Sequence, residues 1–234
     1  RTHGKPDKEV VDFRNNVIYN WGENSSYGGE AGKQNLVANY YKYGPATRAT
    51  KNRIVEPYDA KGKWYIADNF VFAFPDITTD NWAGGVQGKF ANRGRANSPH
   101  PFAPVITHTA EQAYELVLAN AGAIRPQRDS VDARIIAEVR NGTATFGGAW
   151  GKGLGIIDSQ TEVGGWPVLH SAPAPKDDDQ DGMADEWERT NGLDPSNPED
   201  RNADFNGDGY TNLEKYLNSL APENKFSGAE VQSH

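Results

Sequence analysis

The chain has no cysteine and a single methionine, and no apolar run approaches the roughly 20 residues of a membrane-spanning helix. Without thiols there is no disulfide scaffold, no thiolate metal site and no cysteine nucleophile. The compartment stays open, because an exported protein can also do without cysteine. The sequence opens at Arg1, with neither an initiator methionine nor the charged-then-apolar start of a leader peptide. We therefore expect a segment upstream either to have been removed or to lie outside this sequence. No stripe of basic and aromatic residues suggests nucleic acid, and no glycine-rich loop opening a helix suggests a phosphate cradle.

Glycine (25) and proline (14) make the 234 residues rich in turns, while 6 Trp, 10 Tyr and 9 Phe argue against disorder. The net charge of -8 is unevenly spread. Between Asp177 and Glu214 stand 13 acidic residues against Arg189 and Arg201, so the remainder of the chain is slightly basic. A segment so dense in carboxylates needs cations or solvent to relieve its self-repulsion.

Three segments of the first third resemble one another: Val11 to Tyr19, Asn35 to Tyr41 and Trp64 to Phe72. Each is an apolar, β-branched or aromatic run interrupted by asparagine. Aligning Asn16, Asn39 and Asn69 gives unequal spacings with a constant core, the pattern of parallel β-helix coils with loops of variable length. Asparagine suits a sharp bend, where it tolerates left-handed dihedrals, and stacked amides form a hydrogen-bonded ladder. Three ordinary antiparallel strands with asparagine at their turns are the alternative.

Thr78 to Pro104 reads as a long surface-wrapping segment. A capping box at Thr109 and Gln112 predicts a helix over 110–121, with Ala113, Leu116, Val117 and Asn120 on one face. Asp129 or Ser130 starts a second helix, 131–140, with Ile135, Ile136 and Val139 buried and Asn141-Gly142 as its stop. Gly147 to Gly165 reads as irregular. Ser171-Ala-Pro-Ala-Pro175 is a semi-rigid hinge. The expected organisation is a domain over 1–170, a linker over 171–176, a small module over 177–220 and a tail over 221–234.

After the linker, Asp177, Asp179 and Asp181 fall at positions 1, 3 and 5 of a twelve-residue calcium loop. Gly182 takes the sharp turn, Met183 lends its carbonyl, Asp185 follows at position 9 and Glu188 closes as a bidentate ligand. A second loop runs through Asp204, Asn206, Asp208, Tyr210 (by its carbonyl) and Asn212. Its last position is Lys215, which cannot be a ligand, and Glu214 lies one residue early. For both loops the plain alternative is a solvated acidic surface. Trp187, Leu193, Leu213, Tyr216 and Leu217 are expected to form a miniature core, stable with metal bound.

Asp12 to Gly22, Asn35 to Tyr41 and Asp158 to Pro167 resemble the C-terminal half of bacterial pectate lyases of polysaccharide lyase family one. The segment from Asp177 to Leu217 is similar to the thrombospondin-type-three or dockerin-like, EF-hand-like calcium modules that end such enzymes. The resemblance implies an all-β fold, a right-handed parallel β-helix with flanking helices, plus this small calcium-binding module. It also implies cleavage of polygalacturonate by β-elimination, with Ca2+ as cofactor and an arginine as base. Arg1 is the catalytic candidate on that pattern, although His3 stands where the family has proline, and the aspartates of the catalytic calcium would lie upstream. Lys5, Arg14 and Lys42 are candidates to meet uronate carboxylates, with surface solvation as the alternative for each. Tyr27 with Gly28-Gly29 reads as a turn before it reads as a sugar platform, and His100, His108 and His170 as structural. The expected partners are pectate and the protein's own missing N-terminal half. The expected location is outside a bacterial cell, in the periplasm or at its surface. The rival reading is a non-catalytic carbohydrate-binding or structural β-helix with a calcium-stabilised docking module.

Overall fold

The computed structural model describes residues 5–124, 127–149, 152–169 and 171–221, in two compact units that divide between Pro167 and Val168. The first unit carries eight short strands: β1 (Val10–Arg14), β2 (Val17–Tyr19), β3 (Tyr27–Gly28), β4 (Lys33–Val37), β5 (Tyr40–Lys42), β6 (Glu56–Pro57), β7 (Lys63–Ala67) and β8 (Phe70–Val71). They form three parallel sheets in the orders β1-β4-β7, β2-β5-β8 and β3-β6. The chain visits the sheets in rotation, so each circuit lays its strands beside those of the circuit before, consistent with a parallel β-helix. Asp12 pairs with Asn35 and Asn35 with Tyr65.

The asparagine repeat becomes a ladder at the bend between the first two sheets. Asn16 Nδ2 donates to Asn39 Oδ1 at 3.0 Å, 23 residues on. Asn39 Nδ2 donates to Asn69 Oδ1 at 2.9 Å, a further 30 residues on. Each oxygen also accepts the backbone N–H of the asparagine one rung back. Asn39 and Asn69 are fully buried, and a buried amide is tolerated only when its donors and acceptors are satisfied.

The left-handed dihedrals fall one residue earlier than expected. Asn15 (φ 54°), Ala38 (φ 51°) and Asp68 (φ 58°) make the turn, and the asparagines that follow them supply the hydrogen bonds. The backbone bend and the amide contact are separate tasks given to adjacent residues.

Within the coils, side chains alternate between the interior and the outer face. Leu36, Tyr41, Ile54, Val55, Trp64, Ile66, Val71 and Val86 form the core. Burying each stabilises the fold by about 1.5–3 kcal/mol. Outside the second sheet, Tyr40 stacks between Phe70 (4.6 Å) and Tyr114 (4.3 Å).

Thr78 to Pro104 does more than wrap the surface. Helix α1 (Pro75–Thr79) leads into it, and Asn81 accepts from Asn69 Nδ2 at 2.9 Å, ending the ladder. Val86 then bridges Val55, and Arg95 bridges Trp64, in parallel. The stretch is a further, less regular turn of the stack. The next residues are clasped by two asparagines. His100 N–H donates to Asn35 Oδ1 while Asn35 Nδ2 donates back to the His100 carbonyl. Asn15 and His108 repeat that exchange.

Helix α2 (Ala110–Asn120) begins with the expected capping box of Thr109 and Gln112. Its buried residues are Ala110, Ala113 and Leu118, so the inward face is rotated from the expected one and Asn120 is exposed. Helix α3 (Ser130–Asn141) is capped by Asp129 and ends at Gly142, in the left-handed conformation. It buries Glu138 and Val139 and leaves Ile135 exposed. In both helices the expected face followed apolar spacing alone, whereas helices on the outside of a solenoid bury what the coils beneath them leave room for. The described residues between Gly147 and Gly165 are irregular apart from a short 3-10 turn, Gln160–Val163.

The second unit contains α4 (Asp185–Asn191), a 3-10 turn (Asp200–Asn202) and α5 (Asn212–Leu220). Trp187 meets Phe205 at 6.3 Å and Tyr216 at 5.3 Å, edge to face. Met183 is buried, while Leu217, an expected core residue, is exposed.

Replacing the middle rung of the ladder is the sharpest test of this fold. Asn39→Ala removes a buried amide with partners above and below it, leaving Asn16 N–H without its acceptor and Asn69 Oδ1 with one of its two donors, the backbone N–H of residue 39. An unsatisfied buried polar group costs about 1–3 kcal/mol, so urea denaturation should read a loss of at least that order. An unchanged midpoint would mean that the ladder does not hold the coils.

Candidate functional site

The carboxylates of the first acidic loop converge as its spacing predicts. Asp177, Asp179 and Asp181 each have an oxygen within 4.8 Å of the others', and Asp181, Glu188 and Asp200 form a second such group. Three of the loop's backbone N–H groups fix the aspartates. Gly182 N donates to Asp177 Oδ2 (3.1 Å), Asp181 N to Asp179 Oδ1 (3.3 Å) and Met183 N to Asp181 Oδ1 (2.8 Å). Asp200 is held likewise, its Oδ2 accepting from Asp194 N at 3.2 Å. Each of the four aspartates thus commits one oxygen to a backbone donor.

The other oxygens are buried without a partner: Asp177 Oδ1, Asp179 Oδ2, Asp181 Oδ2, Asp200 Oδ1 and both oxygens of Glu188. Asp181 is 2% exposed and Glu188 0%. Burial, with the charges of Asp181, Asp179, Asp200 and Asp185, pushes the Glu188 carboxyl up to about 7. Six hard oxygens, from two groups that share Asp181, suit a calcium ion, which takes six to eight at flexible geometry. The donor set fits the cation that the spacing implies.

Two residues differ from the expected ligand set. Asp185, placed at position 9, is buried but turned away from the group. Its Oδ1 accepts from Asp178 N at 2.8 Å, and its Oδ2 meets Lys176 Nζ at 3.1 Å and an Arg189 nitrogen at 3.0 Å. The Asp178 N–H, with those two cations, holds its carboxyl down at about 2. Asp200 stands in the group instead. It comes from outside the loop, so the loop spacing gave no reason to include it. Met183 contributes a buried side chain and a backbone N–H bond.

In the second loop, Lys215 changes the arrangement. Its ammonium is 2.5 Å from Asp204 Oδ1 and 2.9 Å from Asp208 Oδ1, and it also donates to the Tyr210 carbonyl. Asn206 Nδ2 donates to Asp208 Oδ2 at 3.0 Å. Asn212 is fully buried, accepting from Phe205 N (3.0 Å) and donating to the Asp200 carbonyl (2.8 Å). Glu214, expected to reach an ion, closes the capping box of α5 by accepting from Thr211 N at 2.7 Å.

The expected uronate-binding residues are not gathered. Lys5 is exposed beside a short 3-10 turn. Arg14 forks onto Asp12 (2.5 and 2.6 Å), donates to Thr107 Oγ1 (2.7 Å) and lies over the Phe102 ring. It therefore straps the segment after His100 to the first coil. Lys42 is 7% exposed, donates to the Arg140 carbonyl at 2.8 Å and caps the end of α3. Burial pulls its ammonium below the ordinary lysine value. It stands beside a cleft of about 540 Å³ whose lining includes Tyr43, Lys51, Phe72 and Arg140. Arg1 and His170 lie outside the described residues. His100 and His108 are tied into the backbone contacts given above.

No family model matches the chain. The chain is 31% identical over 229 residues, 95% of its own length, to a protein named Probable pectate lyase C from Aspergillus fumigatus, and covers 51% of that relative. It is 31% identical over 229 residues to one of the same name from Neosartorya fischeri, again covering 51%. To another from Emericella nidulans it is 29% identical over 227 residues, covering 50%. The chain thus spans about half the length of the curated relatives it matches, and is similar to proteins named pectate lyase C across nearly the whole of its own.

Proposed function

We propose that the chain is part of a polysaccharide lyase of the pectate lyase type, cleaving α-1,4-linked polygalacturonate by calcium-assisted β-elimination. The observation that carries this reading is the similarity to proteins named pectate lyase C over 95% of the chain. The coil stack, with its asparagine ladder, agrees with it. In the reaction, a base removes the proton beside the uronate carboxylate, the electron pair forms a carbon–carbon double bond, and the glycosidic oxygen leaves. A bound calcium ion would stabilise the enolate-like charge on that carboxylate. Arg1 remains the candidate base on the family resemblance.

We place the rest of the catalytic apparatus on coils stacked against β1 and β2. Among the described residues, those two strands have a neighbour on one side only. Val10 and Val11 are exposed there. The half-length coverage of the relatives agrees with further coils, the expected N-terminal half. The handedness we assign is right-handed, as parallel crossovers almost always are.

The second unit is proposed as a calcium module, its ion held by Asp177, Asp179, Asp181, Glu188 and Asp200. The buried and unpartnered oxygens support this assignment. The resemblance gives a bacterial source and a location in the medium, periplasm or cell surface, although the named relatives are fungal. No helix among the described residues is long and apolar enough to cross a membrane.

Ultraviolet absorbance of polygalacturonate mixed with the protein tests the enzyme reading. We expect a rise that needs calcium and stops on adding chelator. A flat trace with polygalacturonate still bound would favour the non-catalytic carbohydrate-binding β-helix instead. For the module, chelation should lower the melting temperature and open the segment after Pro175 to protease, because a ligand that binds only the folded state stabilises it by mass action. Asp200→Asn should weaken calcium binding on the order of tenfold or more, as expected when a charged ligand is lost. Equal affinity in the two proteins would remove Asp200 from the site.

A further inference from the structure

The two acidic loops of the second unit resolve the same electrostatic problem differently. In the first, six carboxylate oxygens, in two groups that share Asp181, are buried without a partner. Its nearby lysine, Lys176, pairs with Asp178 and Asp185, outside that set. In the second, the residue at the closing position of the loop is Lys215. Its side chain is 10% exposed, and its ammonium is bonded to Asp204, Asp208 and the Tyr210 carbonyl. These are positions 1, 5 and 7 of a calcium loop, all oxygen ligands of the ion in the regular motif. An ammonium has three donors and no acceptor, so three oxygens satisfy it.

We propose that the second loop carries its own cation: Lys215 occupies the ion position, and the loop folds closed without binding calcium. The three remaining candidate ligands are otherwise engaged. Asn206 bonds Asp208 Oδ2, Asn212 holds the Asp200 carbonyl and Phe205 N, and Glu214 caps α5. The Asn212 contact also gives this loop a structural task. Asp200 presents one oxygen to the first loop's group, and its backbone is anchored by Asn212 Nδ2 at 2.8 Å. A second loop that is already closed therefore braces a ligand of the first. The claim that only the first loop takes an ion rests on the calcium reading given above; the closure by Lys215 does not.

Calorimetric titration of calcium into the chelator-stripped full chain separates the two. Asp204→Asn/Asp208→Asn should bind as many ions as the wild type, since those carboxylates serve Lys215. Losing one ion would overturn the inference. Lys215→Glu restores the regular closing ligand and should bind one ion more than the wild type, and no gain would count against the inference. Asp181→Asn/Glu188→Gln addresses the first loop alone: if it costs no ion, the calcium reading of that loop fails while the second-loop result stands. If either second-loop variant does not fold, the wild type still reports through amine labelling and peptide mass spectrometry. Lys215 should stay equally protected with chelator and with calcium. A rise in its labelling when calcium is added would mean that the ion displaces it.

Discussion

The first unit depends on polar contacts placed where a protein normally puts hydrocarbon. A row of amides runs Asn16, Asn39, Asn69, Asn81 along one inner corner of the stack, each donating to the next. The bonds run in one direction, and they close where Asn81 turns its own donors onto the Asn69 and Ile77 carbonyls. Strand pairing alone leaves neighbouring coils free to slip along one another, because parallel backbone bonds are alike at each step. The ladder removes that freedom. An asparagine shifted by one residue would leave a buried amide without its partner, at a cost comparable to that of a lost core side chain.

The same reasoning extends outward from the corner. Asn15 and Asn35 present amides on the outer face and grip an extended segment at His108 and His100 as a neighbouring strand would. Arg14 secures the stretch between them. The helices α2 and α3 follow this strap, with Tyr114 completing the aromatic stack over Tyr40 and Lys42 closing the end of α3. Two of the cationic side chains that sequence reasoning assigned to a sugar acid are thus fixed by the protein itself.

What could be read in advance was whatever repeats or obeys a fixed local spacing. The coil repeat was visible because Asn16, Asn39 and Asn69 recur in a constant apolar setting. The cap at Thr109 was visible, and the second was narrowed to Asp129 or Ser130, because a cap is decided within four residues. The first acidic loop was visible because its ligands alternate along one short segment. Contacts made through space left no such trace. Asp200 enters the first loop's group from beyond α4, and Asp185 leaves it because Lys176 and Arg189 compete for its carboxylate. Val86 and Arg95 continue the stack without an apolar run to announce it. Lys215 was recognised as unable to bind a metal, but its replacement of one required knowing where its ammonium lies.

A cation joined to the backbone differs from a dissolved one in its effective concentration. The ammonium of Lys215 is held at the loop by its own covalent chain, so dilution cannot draw it off. On the calcium assignment proposed above, an ion in the first loop would have no such tether, and a polymer dense in carboxylates would compete for it. On that assignment the second unit would combine an exchangeable charge with a tethered one. Where calcium is scarce, the tethered charge would keep α5 and Asn212 in position while the exchangeable one comes and goes.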